Sequence, residues 1–296
     1  KEIQFFGPAG SNVVESRGAG IHRIDAGWNG GGQTGPVNIF TDPDNWLVYG
    51  HGGDFRTPFV KTGAGTLVVD TGANLSNSGS LTVSEGTLLI NGTFNNNSFG
   101  YNTYVKSGAV IGGIGVTDQT NRVTYDIESG GTVNPGGDGT FGPVIGTLEV
   151  TNGRSSDSNR NSTFTLQTGS TFHVDLDSDG TSDHLTFTKT TVNPSNDVIL
   201  NIQSGVELAL FGSPAYNTPY DLISVVGEDT IYDGSPFDTI TLNGSPLITG
   251  DEYSITYTPT GDTDDTVGGV AITLIPEPTS VAVLLIGLAT LLQRRQ

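Results

Sequence analysis

The stretch Asp175-Leu-Asp177-Ser-Asp179-Gly180-Thr-Ser-Asp183 comes nearest to a site of chemistry. Aspartate at alternate positions followed by glycine matches positions 1, 3, 5 and 6 of a calcium loop, and Asp183 falls on position 9. Carboxylate oxygens in a tight turn suit Ca²⁺, and the expected affinity is weak. Position 12 would be Thr186, which offers no bidentate carboxylate. The flanks Phe172–Leu176 and Leu185–Phe187 read as strands, so the competing reading is a polar corner with outward acids. The histidines are His22, His51, His173 and His184, and none has the His-x-x-x-His spacing of a zinc-hydrolase helix. His173 and His184 flank the acidic turn, where a solvated strand histidine is the simplest reading. No Gly-x-Ser-x-Gly elbow stands between a strand and a helix, and no Gly-Lys-[Ser/Thr] occurs at all, which removes the P-loop.

Composition narrows the classes further. The 296 residues carry 31 acids against 12 bases, a formal charge of −19, and no Lys or Arg lies between Thr190 and Gln293. Nucleic-acid binding is excluded as an expectation, because it needs phosphate neutralisation. With no Cys there is neither thiolate catalysis nor Cys-ligated zinc. With no Met, Lys1 is not expected to be the native start, and a removed signal peptide or a clipped chain is the expectation.

Any such site must be positioned by strands. Glycine supplies 43 residues, roughly twice ordinary usage, among abundant Thr, Asn, Ser and Val. That mixture favours many short strands joined by Gly and Asn turns. From Lys61 onward a Gly-Thr-hydrophobic motif recurs, with aligned glycines at Gly65, Gly86, Gly108 and Gly130, 21, 22 and 22 residues apart. Looser echoes follow at Gly169 and Gly205. A period near 22 reads as stacked rungs of a coil, since one rung cannot bury its own apolar side. Leu67 and Val69, then Leu81 and Val83, alternate as strands with one face inward. Glycine marks the corner, and Asn74, Asn91 and Asn95 suit turns or side-chain ladders. An antiparallel β-sandwich is the alternative fold.

Two resemblances extend this reading. Gly63-Ala64-Gly65-Thr66-Leu67 and Glu85-Gly86-Thr87-Leu88-Leu89-Ile90-Asn91-Gly92 resemble the autotransporter-associated β-strand repeat. Shorter matches to such passenger proteins run through Ser129–Gly136, Gly146–Val150, Ser182–Leu185 and Pro219–Ser224. The resemblance covers roughly 61–226 and implies a right-handed parallel β-helix, an all-β solenoid, in a passenger-like surface protein. No outer-membrane barrel pattern follows it.

The second resemblance is at the C-terminal end. Ile275-Pro276-Glu277-Pro278-Thr279-Ser280, the uncharged run Val281–Leu292, and Arg294-Arg295 together resemble the PEP-CTERM sorting signal of Gram-negative bacteria. That resemblance implies export, an exosortase-type membrane protease as partner, and delivery to the cell surface or extracellular matrix beside extracellular polysaccharide. In it, Pro276, Glu277 and Pro278 are the recognition element. The run Val281–Leu292 would be a short hydrophobic helix holding the inner membrane before processing, and Arg294 and Arg295 the topological stop. Twelve apolar residues fall short of the roughly 20 that span a bilayer.

The expected organisation is therefore an irregular N-terminal capping region at 1–60, a repeat coil at 61–226, terminal strands and an acidic stalk at 227–275, and the sorting segment at 276–296. The expected function is a non-catalytic, exported structural or adhesive protein with no cofactor beyond weak Ca²⁺. The alternatives are a polysaccharide lyase or glycoside hydrolase on the same scaffold, or a carbohydrate-binding module using Trp28 and Trp46. A hydrolase needs two suitably separated carboxylates, and nothing in the sequence marks one acidic pair above the others.

Overall fold

In the computed structural model, alternation and glycine corners become a three-sided stack of strands. The structure describes residues 2–6, 12–25, 28–29, 35–55, 57–96, 102–119, 124–140, 144–152, 162–189, 198–226, 230–232, 235–258 and 268–276. Among these residues the fold is all-β, with no helix. Three ten-stranded sheets are present, and in each the neighbouring strand lies three strands along the chain over most of the sheet. One turn shows the plan. Phe59–Thr62 lies in sheet 1, Thr66–Val69 in sheet 2 and Asn74–Asn77 in sheet 3, and Leu81–Val83 then returns to sheet 1. Successive turns pair in parallel, consistent with a β-helix or solenoid and not with an antiparallel sandwich.

Register turns the period-2 pattern into inward columns. In sheet 1 one column runs Val14, Ile39, Lys61, Val83, Val105, Ile127, and on through Leu166 to Ile202. In sheet 2 Leu47, Leu67, Leu88, Ile111, Val133 and Phe172 stack in the same way. These side chains are buried and join one continuous core, broken in the first column only by Lys61. Each fully buried Leu, Val or Phe contributes about 1.5–3 kcal/mol, so the stack, not any single rung, carries stability.

The corner between sheets 1 and 2 is the most regular. It is turned by a residue in the left-handed region at Gly18, Asp44, Gly63, Gly86, Gly108, Gly130, Gly169 and Gly205. The amide of Gly108 donates to the Gly130 carbonyl at 2.7 Å, Gly130 to Gly169 at 2.8 Å, and Gly169 to Gly205 at 2.9 Å. Three of the four glycines aligned by sequence take this role. At the remaining rung Gly63 turns the corner, and Gly65 lies so close to the Asp42 carbonyl that a Cβ would clash.

The strands do not begin at residue 61. Asn12–Arg17, Gly20–Ile24, Val37–Thr41 and Asn45–Tyr49 already form rungs of the same sheets, so most of the described part of 1–60 belongs to the regular stack, with Glu2–Phe6 as its cap. The capping is antiparallel: Glu2–Phe6 pairs with Asn12–Arg17 at one end, and Gly268–Leu274 with Pro219–Val226 at the other. These pairs cover edges that would otherwise template another chain. The expected C-terminal hydrophobic helix lies outside the described residues.

Candidate functional site

The acidic turn is the corner between Thr171–Leu176 in sheet 2 and His184–Lys189 in sheet 3. Its carboxylates go three ways. Asp177 Oδ1 accepts from the Ser178 amide at 2.6 Å. Asp179 Oδ1 accepts from the Thr181 hydroxyl at 2.6 Å and amide at 2.9 Å, and these bonds hold its carboxyl below the usual range. Asp183 is turned inward and fully buried. It accepts from the Gly146 amide at 2.9 Å and the Asp175 amide at 3.0 Å. Burial pushes its carboxyl up to about 8, while the two amides pull the other way. Asp183 thus clamps one corner turn to the next.

The calcium-loop spacing predicts that Asp175, Asp177, Asp179 and Asp183 converge, and the structure does not bring them together. The physical reason is the strand on each side. Helical flanks would close the loop around an ion, whereas here the ladder fixes Asp183 inside the corner. Among the described residues no group of three His, Asp or Glu side chains is arranged to hold a metal.

His173 and His184, which sequence places on either flank of the turn, lie on different sheets. His173 stacks on Phe211, with ring centroids 4.3 Å apart and planes 7° from parallel, and its Nε2 is 3.5 Å from Asp175 Oδ1. His184 is not simply solvated. Its Nε2 is 2.8 Å from Ser224 Oγ, and its Nδ1 is 3.4 Å from Thr186 Oγ1. Burial lowers its pKa, opposed by the charge of Asp221. A neutral imidazole beside a serine hydroxyl has the composition of a nucleophile–base pair. At Nδ1, however, a threonine stands where a triad carries the orienting carboxylate. Ser224 also lies in a strand paired on both sides, opposite Thr186 and Gly269, so neighbouring amides belong to the ladder and not to an oxyanion hole.

Two buried polar groups escaped the sequence reading. Lys61 is fully buried, and its Nζ donates to the carbonyls of Gly63 at 2.7 Å, Thr62 at 3.0 Å and Glu85 at 3.1 Å. Burial lowers its amine to about 8, with Glu85 acting against the shift. Its parity with Phe59 in Phe-Val-Lys-Thr was the available signal. Ser16, also interior, has its Oγ 2.8 Å from His22 Nδ1 and receives Asn45 Nδ2 at 2.9 Å. Both clusters close the corner between sheets 1 and 2 and are buried there.

The outer faces differ. On sheet 1 an outward column reads Asn38, Val60, Thr82, Tyr104, Asp126 and Thr165. On sheet 3 the Asn95 side-chain amide donates to Asn74 Oδ1 at 2.8 Å, a rung-to-rung asparagine contact. On sheet 2 an outward column is apolar instead: Val48, Val68 and Leu89 are buried as a cluster separate from the core, with Trp46 packed against them. Trp46 Nε1 donates to Asp138 Oδ2 at 2.9 Å. Asp138 belongs to the connection between Thr132–Pro135 and Thr147–Asn152, so the excursion at one corner reaches back to an early rung. The Trp28 side chain lies outside the described set.

Of the sorting segment, Pro276 is described and Glu277, Pro278, Arg294 and Arg295 are not. Gly268–Leu274 runs antiparallel to Pro219–Val226, which brings Leu274 to the corner where sheet 3 begins. There the Asn217 amide donates to the Leu274 carbonyl at 2.8 Å and the Ile275 amide to the Glu252 carbonyl at 2.8 Å. No protein-family model matches the chain, and no curated protein is recognisably similar to it.

Proposed function

We propose that this chain is a non-catalytic, exported surface or matrix protein, sorted through its C-terminal segment and displaying its coil to extracellular polysaccharide. One observation carries the reading: a proline-bracketed acid, an uncharged apolar run and paired arginines stand in fixed order directly after the last described strand of a stacked coil. Pro276, Glu277 and Pro278 form the recognition element for an exosortase-type protease in this reading. Val281–Leu292 is a short helix that holds the inner membrane, and Arg294 and Arg295 stay on the cytoplasmic side. The coil is right-handed, the hand taken by nearly all parallel crossover connections. No cofactor is required.

Support also comes from the outer surface. Outward columns such as Asn38, Val60, Thr82, Tyr104, Asp126 and Thr165 place mostly polar side chains on rungs about 4.8 Å apart, a repetitive surface that meets a repetitive polymer. The test is direct. The full chain is produced in a host with an exosortase and in one lacking it, and its C-terminal peptides are read by mass spectrometry. Loss of the residues beyond the Pro-Glu-Pro element in the first host alone is expected. Identical C-termini in both hosts would remove the sorting reading.

A further inference from the structure

We propose that Trp46 is a stacking platform for a neutral, hydroxyl-rich polysaccharide; this rests on the extracellular-polysaccharide reading above and gives it a site. Outward positions on a solvated coil need no apolar side chains, yet Val48, Val68 and Leu89 occupy three successive ones and are buried. They form a small second core outside the coil, and Trp46 packs on it while remaining partly exposed. The indole is fixed at its polar edge as well, because Nε1 donates to Asp138 from a segment 92 residues away. Asp138 is itself positioned, with Oδ1 accepting from the Thr140 amide at 2.9 Å. An aromatic ring held by packing on one side and by a carboxylate at its edge has little freedom left to lose on binding.

The surroundings define the ligand class. In the same outward column Trp46 lies between Ile21, half exposed at 50%, and Thr66, with Thr87 one rung further. An apolar residue, an indole and then hydroxyls in a line suit the C–H face and the hydroxyl edge of successive sugars. The negative face of the indole attracts polarised C–H groups, and the Asp138 carboxylate accepts hydroxyl protons. A polyanion is disfavoured. The ring edge carries a carboxylate and the whole chain carries −19, so uronate or sulfate polymers meet like charge.

The test uses the full chain with a panel of soluble neutral glucans and mannans and a polyuronate, read by affinity electrophoresis and calorimetry. Trp46→Phe keeps a ring, and Trp46→Leu keeps apolar cover for Val48 and Val68 without one. Circular dichroism reports folding of each. A neutral polymer is expected to bind wild type and Trp46→Phe within a few-fold of each other, and Trp46→Leu at least about 10-fold more weakly, as for truncation of an aromatic anchor. In a Trp28→Phe background, Trp46 is the sole tryptophan, and its emission is expected to change with the bound polymer. A folded Trp46→Leu protein that binds as tightly as wild type overturns the platform and leaves the polysaccharide reading intact. Preference for the polyuronate overturns the ligand class. Wild type that binds nothing in the panel removes both. Should Trp46→Leu fail to fold, silent Trp46 emission at saturating polymer overturns the platform, and a shifted emission sustains it.

Discussion

Lys61 occupies a position that seven aliphatic side chains fill in the same inward column, so its titration reads directly on stability. Burial brings the amine from its usual 10.5 to about 8. Below pH 8 it is protonated in both the folded and unfolded chains, and the fold bears the whole cost of a buried charge. Between pH 8 and 10.5 the unfolded chain binds the proton and the folded chain does not, so stability rises with pH across that window. Above 10.5 both forms are neutral and the gain levels off. The shift corresponds to a change of about 3 kcal/mol. The carbonyls of Thr62, Gly63 and Glu85 favour the charged form and set the lower side of that figure.

Other lysines and tyrosines titrate in the same range, so the informative quantity is the difference between wild type and Lys61→Met. Methionine matches the length of the stem and removes the ionisation. At neutral pH the sign of that difference is set by two opposing changes, relief of a buried charge and loss of three acceptor bonds. Its pH dependence is not ambiguous: wild type gains on Lys61→Met by about 3 kcal/mol from pH 7 to pH 10.5. Urea unfolding followed by circular dichroism at half-unit steps measures it. A difference that stays flat across the range refutes the reasoning, and means that the carbonyl cage holds the ammonium as well as water does.

Four further variants test other parts of the fold. Gly108→Ala introduces a side chain at φ 78° where no atom lies within 4 Å, and costs about 1–2 kcal/mol for the left-handed backbone alone. Gly86→Ala adds a clash with the Gly63 and Gly65 carbonyls and is expected to unfold in clearly less urea than Gly108→Ala. Asp183, pushed up to about 8 by burial, favours the fold when protonated, so wild type is expected to lose stability relative to Asp183→Asn as pH rises from about 4 to 8. Melting temperatures of the pair at pH 5 and 8.5 decide it, and a gap that widens in favour of wild type contradicts the assignment. Val68→Ala, outward by parity, is expected to cost about 2 kcal/mol as a core site would. A near-neutral result in chemical denaturation would show that the outer cluster contributes nothing.

Much of the coil was legible because its signals are local. Gly86, Gly108 and Gly130 keep their spacing since each rung must turn the same corner, and Leu67, Val69, Leu81 and Val83 alternate since one face is inside. The strands flanking the acidic turn were legible for the same reason. What failed was convergence. Alternate aspartates look alike whether they surround an ion or, like Asp183, reach into a corner to accept amides from Gly146 and Asp175. The rung of Val37–Thr41 and Asn45–Tyr49 was hidden because Asp44 takes the left-handed corner that glycine marks elsewhere. Contacts across many residues, such as Ser224 with His184 or Trp46 with Asp138, leave no trace in spacing.

One long-range feature did leave a trace. Leu47-Val48-Tyr49, Leu67-Val68-Val69 and Leu88-Leu89-Ile90 each run three apolar residues where alternation would put a polar one in the middle. A continuous apolar strand means burial on both faces, and three such strands in successive rungs mark a second cover outside the coil. Thr-Phe-His-Val-Asp-Leu at 171–176 in the same sheet keeps the alternation, and Leu208-Ala209-Leu210 breaks it again in a later rung. The break in the three early rungs coincides with the stretch of sheet 2 on which Trp46 packs. The corner between sheets 1 and 2 takes two to four residues in the eight rungs from Asn12–Arg17 to Glu207–Gly212, whereas the corner between sheets 2 and 3 carries longer connections after Thr132–Pro135, Thr171–Leu176 and Glu207–Gly212. A tight corner sets the pitch of the stack and admits little variation. A corner free to lengthen is where a coil of near-identical rungs acquires individual features, and the excursion at 136–146 uses that freedom to pin a single indole on the outer wall.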